Sequence, residues 1–127
     1  MSEIPLISIV DDDDAVRASM QRLIRSVGFR AEGFASAEDF LTMGDLQATA
    51  CLILDVRMPR MSGLELQRQL ATANCPIPII FITAHGDEKA RAQALSAGAV
   101  DFLPKPFSDD VLLRAVQAAL HSSRGGV

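Results

Sequence analysis

Three runs in this chain, LISIV at 6–10, CLILD at 51–55 and PIIFIT at 78–83, are apolar from end to end rather than alternating. A strand of that kind has both faces covered, which points to a parallel sheet packed between two layers of helices. Two weaker runs, RAEGF at 30–34 and AVDFL at 99–103, belong toward the sheet edges. Between the runs the apolar period lengthens. Val16, Met20, Leu23, Ile24 and Val27 share one helical face, and Gly28 follows as its stop. Ser36 caps a short helix carrying Phe40 and Leu41. A helix from about Gly63 carries Leu66, Leu70 and Ala73, and GDEKARAQALSAG reads as a helix stopped by Gly98. Leu112, Ala115, Val116 and Ala119 mark a last helix with Ser108 as its cap. The resulting expectation is an α/β fold, a doubly wound five-stranded parallel sheet with helices on both faces. Its domain covers residues 1–121. Residues 122–127, within HSSRGGV, have lost the pattern and read as the start of a linker or disordered tail.

Composition removes several functions. With 49% apolar and 22% charged residues in 127, the chain is large enough to bury one core. A formal net charge of -4 offers no basic footprint, so no nucleic acid or anionic membrane is expected to bind the chain itself. No apolar run is long enough to span a bilayer, and MSEIPLIS lacks a basic signal region. Cys51 and Cys75 have no metal-like spacing and read as two reduced thiols, which makes a cytoplasmic location the expectation.

In an open parallel sheet the site lies outside the carboxyl ends of the strands. There the chain places Asp11 and Asp12 after the first strand, Asp55 at the end of the third, Thr83 at the end of the fourth, and Lys105, followed by Pro106, after the fifth. Three carboxylates, a hydroxyl and an ammonium therefore converge from distant segments. The carboxylates disfavour one another's ionisation unless a cation joins them. Oxygen donors without a His or Cys cluster suit Mg2+, which binds few carboxylates and keeps room for phosphate oxygens. An Asp carboxylate can attack a phosphoryl group, and a cation, an ammonium and a hydroxyl can then neutralise its oxygens.

IVDDDD, LILDVRMPRMSG, FITAHGD and AGAVDFLPKPF together resemble the receiver domain of bacterial two-component response regulators, closest to the FixJ-like subgroup, over residues from about 4 to 121. The resemblance implies the flavodoxin-like, CheY-like strand order 2-1-3-4-5. It implies Asp55 as phosphoacceptor, and Asp11 and Asp12 as the acid pair that holds Mg2+, Asp12 more directly. Arg57 matches the position whose backbone carbonyl binds the metal. Thr83 matches the switch hydroxyl, Lys105 the phosphate-binding lysine, Phe102 the switch aromatic, and Pro106 the proline of a cis Lys-Pro bond. Phe102 departs from the frequent Tyr and has no hydroxyl. Arg57 and His85 flank the phosphate position, His85 reading chiefly as a solvated loop residue. Of the remaining acids, Asp14 is expected to cap the first helix and Asp13 to sit in the loop near its positive end.

The implied function is that of a phosphoacceptor: a sensor histidine kinase donates to Asp55, and the domain switches to control output, transcription through a DNA-binding domain being the main expectation. The alternative is a stand-alone receiver that shuttles phosphate. The implied partner besides the kinase is a second copy, bound on phosphorylation through the face from about Asp87 to Leu120. Two rivals come from other classes. DDDDAV also fits a haloacid-dehalogenase-type phosphatase with Asp12 as nucleophile and Asp14 as acid/base, but Asp55 then has no task and Asp109-Asp110 lies too close to Lys105. A flavodoxin-like cofactor module would need a Ser-, Thr- and Gly-rich loop where this chain has four acids.

Overall fold

The computed structural model describes residues 4–84 and 87–125, the last four as helical backbone alone. Strands β1 (Leu6–Val10), β2 (Arg30–Phe34), β3 (Thr49–Asp55), β4 (Ile79–Thr83) and β5 (Asp101–Pro104) alternate with helices α1 (Asp14–Ser26), α2 (Ala37–Met43), α3 (Gly63–Thr72), α4 (Glu88–Ser96) and α5 (Asp109–Gly125). All strand pairings are parallel, in the order β2-β1-β3-β4-β5. The weak runs are indeed the two edges. Because β2 lies on one side of β1 and β3 on the other, the chain reverses direction across the sheet between β1 and β3. The crevice of such folds opens there.

The unbroken apolar runs divide residue by residue between two cores. Ile7, Ile9, Cys51, Ile53, Ile80 and Ile82 face α1 and α5, meeting Met20, Ile24, Leu112 and Val116. Val10, Leu52, Leu54, Ile79 and Phe81 face α2, α3 and α4, meeting Phe40, Leu66, Leu70 and Ala94. This two-residue alternation within a wholly apolar strand is the strand pleat feeding two layers at once. One polar pair interrupts it: Ser8 and Thr49, both buried, hydrogen-bond at 2.8 Å across β1 and β3.

Helix ends follow local chemistry. Ser36 accepts from Asp39 N–H at 3.0 Å and Ser108 from Val111 N–H at 3.2 Å, as expected of caps. Gly28 (φ 98°) and Gly98 (φ 102°) take the left-handed conformation just past α1 and α4, which a side chain would resist. The first cap differs from expectation. Asp13, in extended conformation, accepts from Ala15 and Val16 N–H at 3.0 and 3.1 Å. Asp14 is already helical, and its carboxylate pairs with Arg17 at 2.6 Å. The helix begins one residue early because Asp13 still has the backbone geometry that points its oxygen at the free amides. The backbone of α5 stays helical to Gly125, through residues 122–125, where the linker was expected to begin.

Candidate functional site

The four consecutive acids after β1 have four separate environments. Asp11 continues the sheet by one residue, its N–H donating to Phe34 O at 3.1 Å, and is fully buried. Its Oδ1 accepts from Asp13 N–H at 2.9 Å, its Oδ2 from Lys105 Nζ at 3.1 Å, and its carbonyl from Arg17 Nη1 at 2.7 Å. Asp12 is exposed, Asp13 caps α1, and Asp14 pairs with Arg17. Only the first two therefore reach the crevice.

Asp55 closes β3 with 6% of its surface exposed. Its Oδ2 lies 3.6 Å from Lys105 Nζ, and its Oδ1 accepts from Arg57 N–H at 3.3 Å. Asp11, Asp12 and Asp55 each offer a carboxylate oxygen within 4.8 Å of the others. One ammonium against three carboxylates leaves a negative excess that a divalent cation matches. The donors are all carboxylate oxygens, which fits Mg2+ rather than a thiophilic metal. Burial and the adjacent Asp11 charge push the Asp55 carboxyl up to about 6. For Lys105, burial works against the charged form, but the hydrogen bond to Asp11 and the charges of Asp55 and Asp11 outweigh it and hold the ammonium above its usual range. Cys51 has no place in this chemistry: it is buried in the core, and desolvation pushes its thiol up to about 12.

Thr83 ends β4 with 1% exposure, and its carbonyl accepts from Lys105 N–H at 2.6 Å. The hydroxyl-bearing and ammonium-bearing residues are thus backbone neighbours. The Lys105-Pro106 peptide is cis. Phe102 is buried at 7% exposure, its ring 6.1 Å from that of Phe81 at an angle of 39°. An aromatic ring without a hydroxyl is stabilised by this burial whether or not phosphate is present. The ring is therefore packed inward against Phe81. The guanidinium of Arg57, largely exposed, is paired with Asp87, the residue that caps α4 through Ala90 N–H at 3.0 Å. That amide first, and Arg57 after it, holds the Asp87 carboxyl below its usual range. His85 lies outside the described residues.

With acids, ammonium and hydroxyl at the carboxyl edge of a 2-1-3-4-5 parallel sheet, residues 7–117 of the chain match a family model described as response regulator receiver domain. The chain belongs to that family. The receiver domain is 52% identical over 115 residues to the response regulator protein TodT of Pseudomonas putida, covering 91% of this chain and 51% of TodT. It is 42% identical over 113 residues to the transcriptional regulatory protein FixJ of Rhizobium meliloti, covering 89% of this chain and 55% of FixJ. Among solved structures, that of FixJ-N superposes with a TM-score of 0.84 at 40% identity, covering 95% of this chain and 96% of that one. These are FixJ-like neighbours, and the chain spans about half the length of the curated relatives it matches. The phosphatase-type rival loses its basis, since Asp12 is exposed while Asp55, which that reading leaves idle, is buried against Lys105.

Three features of the receiver domain's site escaped the sequence reading. Asp87 as partner of Arg57 is one, and it carries no local signal. Glu38, in α2, accepts from Met61 N–H at 3.1 Å, again a tertiary pairing. The third had a signal in the segment MSGLE: Ser62 and Glu65 form a reciprocal capping box at the start of α3. Between them Gly63 packs so closely under β3 that an added Cβ would stand 2.3 Å from the Asp55 carbonyl oxygen. Gly63→Ala therefore forces backbone apart beneath the acceptor residue. Helix propensity alone would make the substitution favourable by up to about 1 kcal/mol. The clash reverses the sign, and we expect a loss of about 2 kcal/mol in urea unfolding. A variant as stable as the parent would show that β3 and α3 are not in that contact.

Proposed function

We propose that the domain takes a phosphoryl group from a sensor histidine kinase onto Asp55 and passes the change to an output. The observation that carries this is a buried carboxylate set 3.6 Å from a lysine ammonium, with two further carboxylates in reach of one cation. An Asp55 oxygen attacks phosphorus of a phosphohistidine; the P–N bond breaks as the P–O bond forms, and the imidazole leaves and takes up a proton. With its pKa near 6, Asp55 is predominantly ionised at neutral pH and so available as the nucleophile. The Lys105 ammonium stands where it can neutralise one phosphoryl oxygen. The Thr83 hydroxyl and the Arg57 N–H are the neighbouring donors for others. Asp11, Asp12 and the Arg57 carbonyl, with Asp55, would hold Mg2+. When bound, that ion supplies the charge which lets three carboxylates and a phosphoryl group coexist. Return of the phosphoryl group to water is the domain's own reaction at the same atoms.

The output path runs from Thr83 and Lys105, joined by their backbone hydrogen bond, through Phe102 and Pro106 to the face formed by α4, β5 and α5. Since the Phe102 ring is already buried, the new charge acts chiefly on Thr83 and on the Arg57–Asp87 pair at the start of α4. We expect the phosphorylated domain to favour a weak homodimer through the face from about Asp87 to Leu120, dimer and phosphate being linked reciprocally. Relatives described as transcriptional regulators support transcription as the output of a longer cytoplasmic protein in which residues 1–121 are the receiver and 122–127 lead onward. No described helix is long and apolar enough to cross a membrane. The test is incubation with a small phosphodonor and Mg2+, followed by intact mass and sedimentation. One phosphoryl group per chain is expected, with none incorporated when Mg2+ is chelated beforehand and with dimer rising in the phosphorylated sample. No incorporation would overturn the reading, and a monomer in both samples would overturn the dimer alone.

A further inference from the structure

The loop from Val56 to Ser62 connects β3 to α3 and carries Arg57, whose N–H faces Asp55. Its base is closed by Gly63 N–H on Val56 O at 2.9 Å and by Val56 N–H on Ile82 O at 3.0 Å. Its tip is held differently. Arg60 takes a left-handed backbone (φ 66°), a conformation disfavoured for a residue with a Cβ, so the turn needs outside support. The support comes from another element: Glu38, in the first turn of α2, accepts from Met61 N–H at 3.1 Å through Oε2. Its other oxygen, Oε1, is buried without a hydrogen-bond partner among the described residues. The bond to Met61 and the unmatched oxygen offset one another, so the carboxylate adds little net stability. Its place is therefore not explained by the fold's own energetics.

We propose that Glu38 is a positioning residue for the phosphoryl site, fixing the Val56–Ser62 loop through the Met61 amide so that the residues beside Asp55 keep the geometry that binds the divalent cation. The inference rests on the functional reading above. Groups that orient metal ligands from outside typically cost tenfold or more in affinity when removed. Glu38→Ala deletes the loop tie and the orphaned oxygen together. These act in opposite directions on stability, so global stability changes little while the loop loosens. A purely structural residue would show the reverse pattern. Glu38→Gln keeps a carbonyl for the Met61 N–H and removes the charge, which separates loop positioning from long-range attraction of the cation.

The experiment measures Mg2+ affinity and the hydrogen exchange of the Met61 amide without metal, for parent, Glu38→Ala, Glu38→Gln and Asp12→Ala. Expected in Glu38→Ala are Mg2+ binding weakened about tenfold and faster Met61 exchange at unchanged urea midpoint. Glu38→Gln should restore both. Asp12→Ala should weaken Mg2+ binding with Met61 exchange unmoved. Mg2+ affinity in Glu38→Ala within about twofold of a normally binding parent overturns the proposal while leaving the phosphoacceptor reading intact, the tenfold expectation being the yardstick. A Glu38→Gln variant as weak as Glu38→Ala also overturns it, because charge alone would then account for the effect. A parent that binds no Mg2+ overturns the functional reading, and this inference with it.

Discussion

Without Mg2+, Asp55→Asn is more stable than the parent at pH 7.5 and no more stable at pH 4. The Asp55 carboxyl is pushed up to about 6 by burial and by Asp11, whereas in an unfolded chain an Asp titrates near about 3.9. Between those values the native state holds a proton that the unfolded state releases, so raising the pH favours unfolding. The contribution of Asp55 is thus full below about pH 4 and is lost as the pH rises through about 6. Two pH units of displacement correspond to about 3 kcal/mol at most. Lys105 tempers the gain in the variant, because it loses its Asp55 partner and keeps Asp11 at 3.1 Å. A net gain on the order of 2 kcal/mol at pH 7.5 follows. Saturating Mg2+ should erase most of it, since a cation relieves in the parent what the substitution relieves in the variant. Urea unfolding at the two pH values, with and without Mg2+, measures all of this. An advantage equal at pH 4 and pH 7.5 would mean that the substitution acts through packing and not through charge.

The same site shows why the fold was more legible than the contacts. A wholly apolar strand such as CLILD can satisfy both its faces only between two helix layers, so the sheet type follows from the residues alone. The strand order needed the family resemblance, because periodicity does not say which strand lies beside β1. Asp11, Asp55, Thr83 and Lys105 were legible for a topological reason: parallel strands deliver their C-terminal residues to one edge whatever the loops do. The cap of α1 was assigned to Asp14 instead of Asp13 because capping depends on a backbone angle at one residue, and adjacent acids are interchangeable in sequence. Phe102 was placed in the switch by resemblance, but its resting position depends on the space beside Phe81, which only packing reveals. Glu38 and Met61 are 23 positions apart, and Arg57 and Asp87 are 30 apart. Neither pair has a local pattern that marks it.

The central claim is that one carboxylate, Asp55, takes the phosphoryl group. Three acids lie together, yet their environments differ enough to decide among them. Asp11 has no exposed surface, so a phosphodonor has no approach to its oxygens, whereas Asp55 keeps 6% of its surface open. Asp12 is exposed, where a carboxylate is well solvated and a phosphoryl group finds no donor set. Asp55 is desolvated, and it has Lys105 on one oxygen and the Arg57 N–H on the other. Removal of such a nucleophile leaves no bond-forming step, so Asp55→Asn should lower incorporation by at least about 100-fold. Asp12→Ala should leave a slower reaction at the same atom that is relieved by higher Mg2+. The direct measurement is to phosphorylate the parent with a small phosphodonor and Mg2+, trap the acyl phosphate by borohydride reduction, and locate the reduced residue by peptide mass spectrometry. Reduction at residue 55 alone, absent from Asp55→Asn, is the predicted result; reduction at residue 12, or undiminished incorporation in Asp55→Asn, would contradict it.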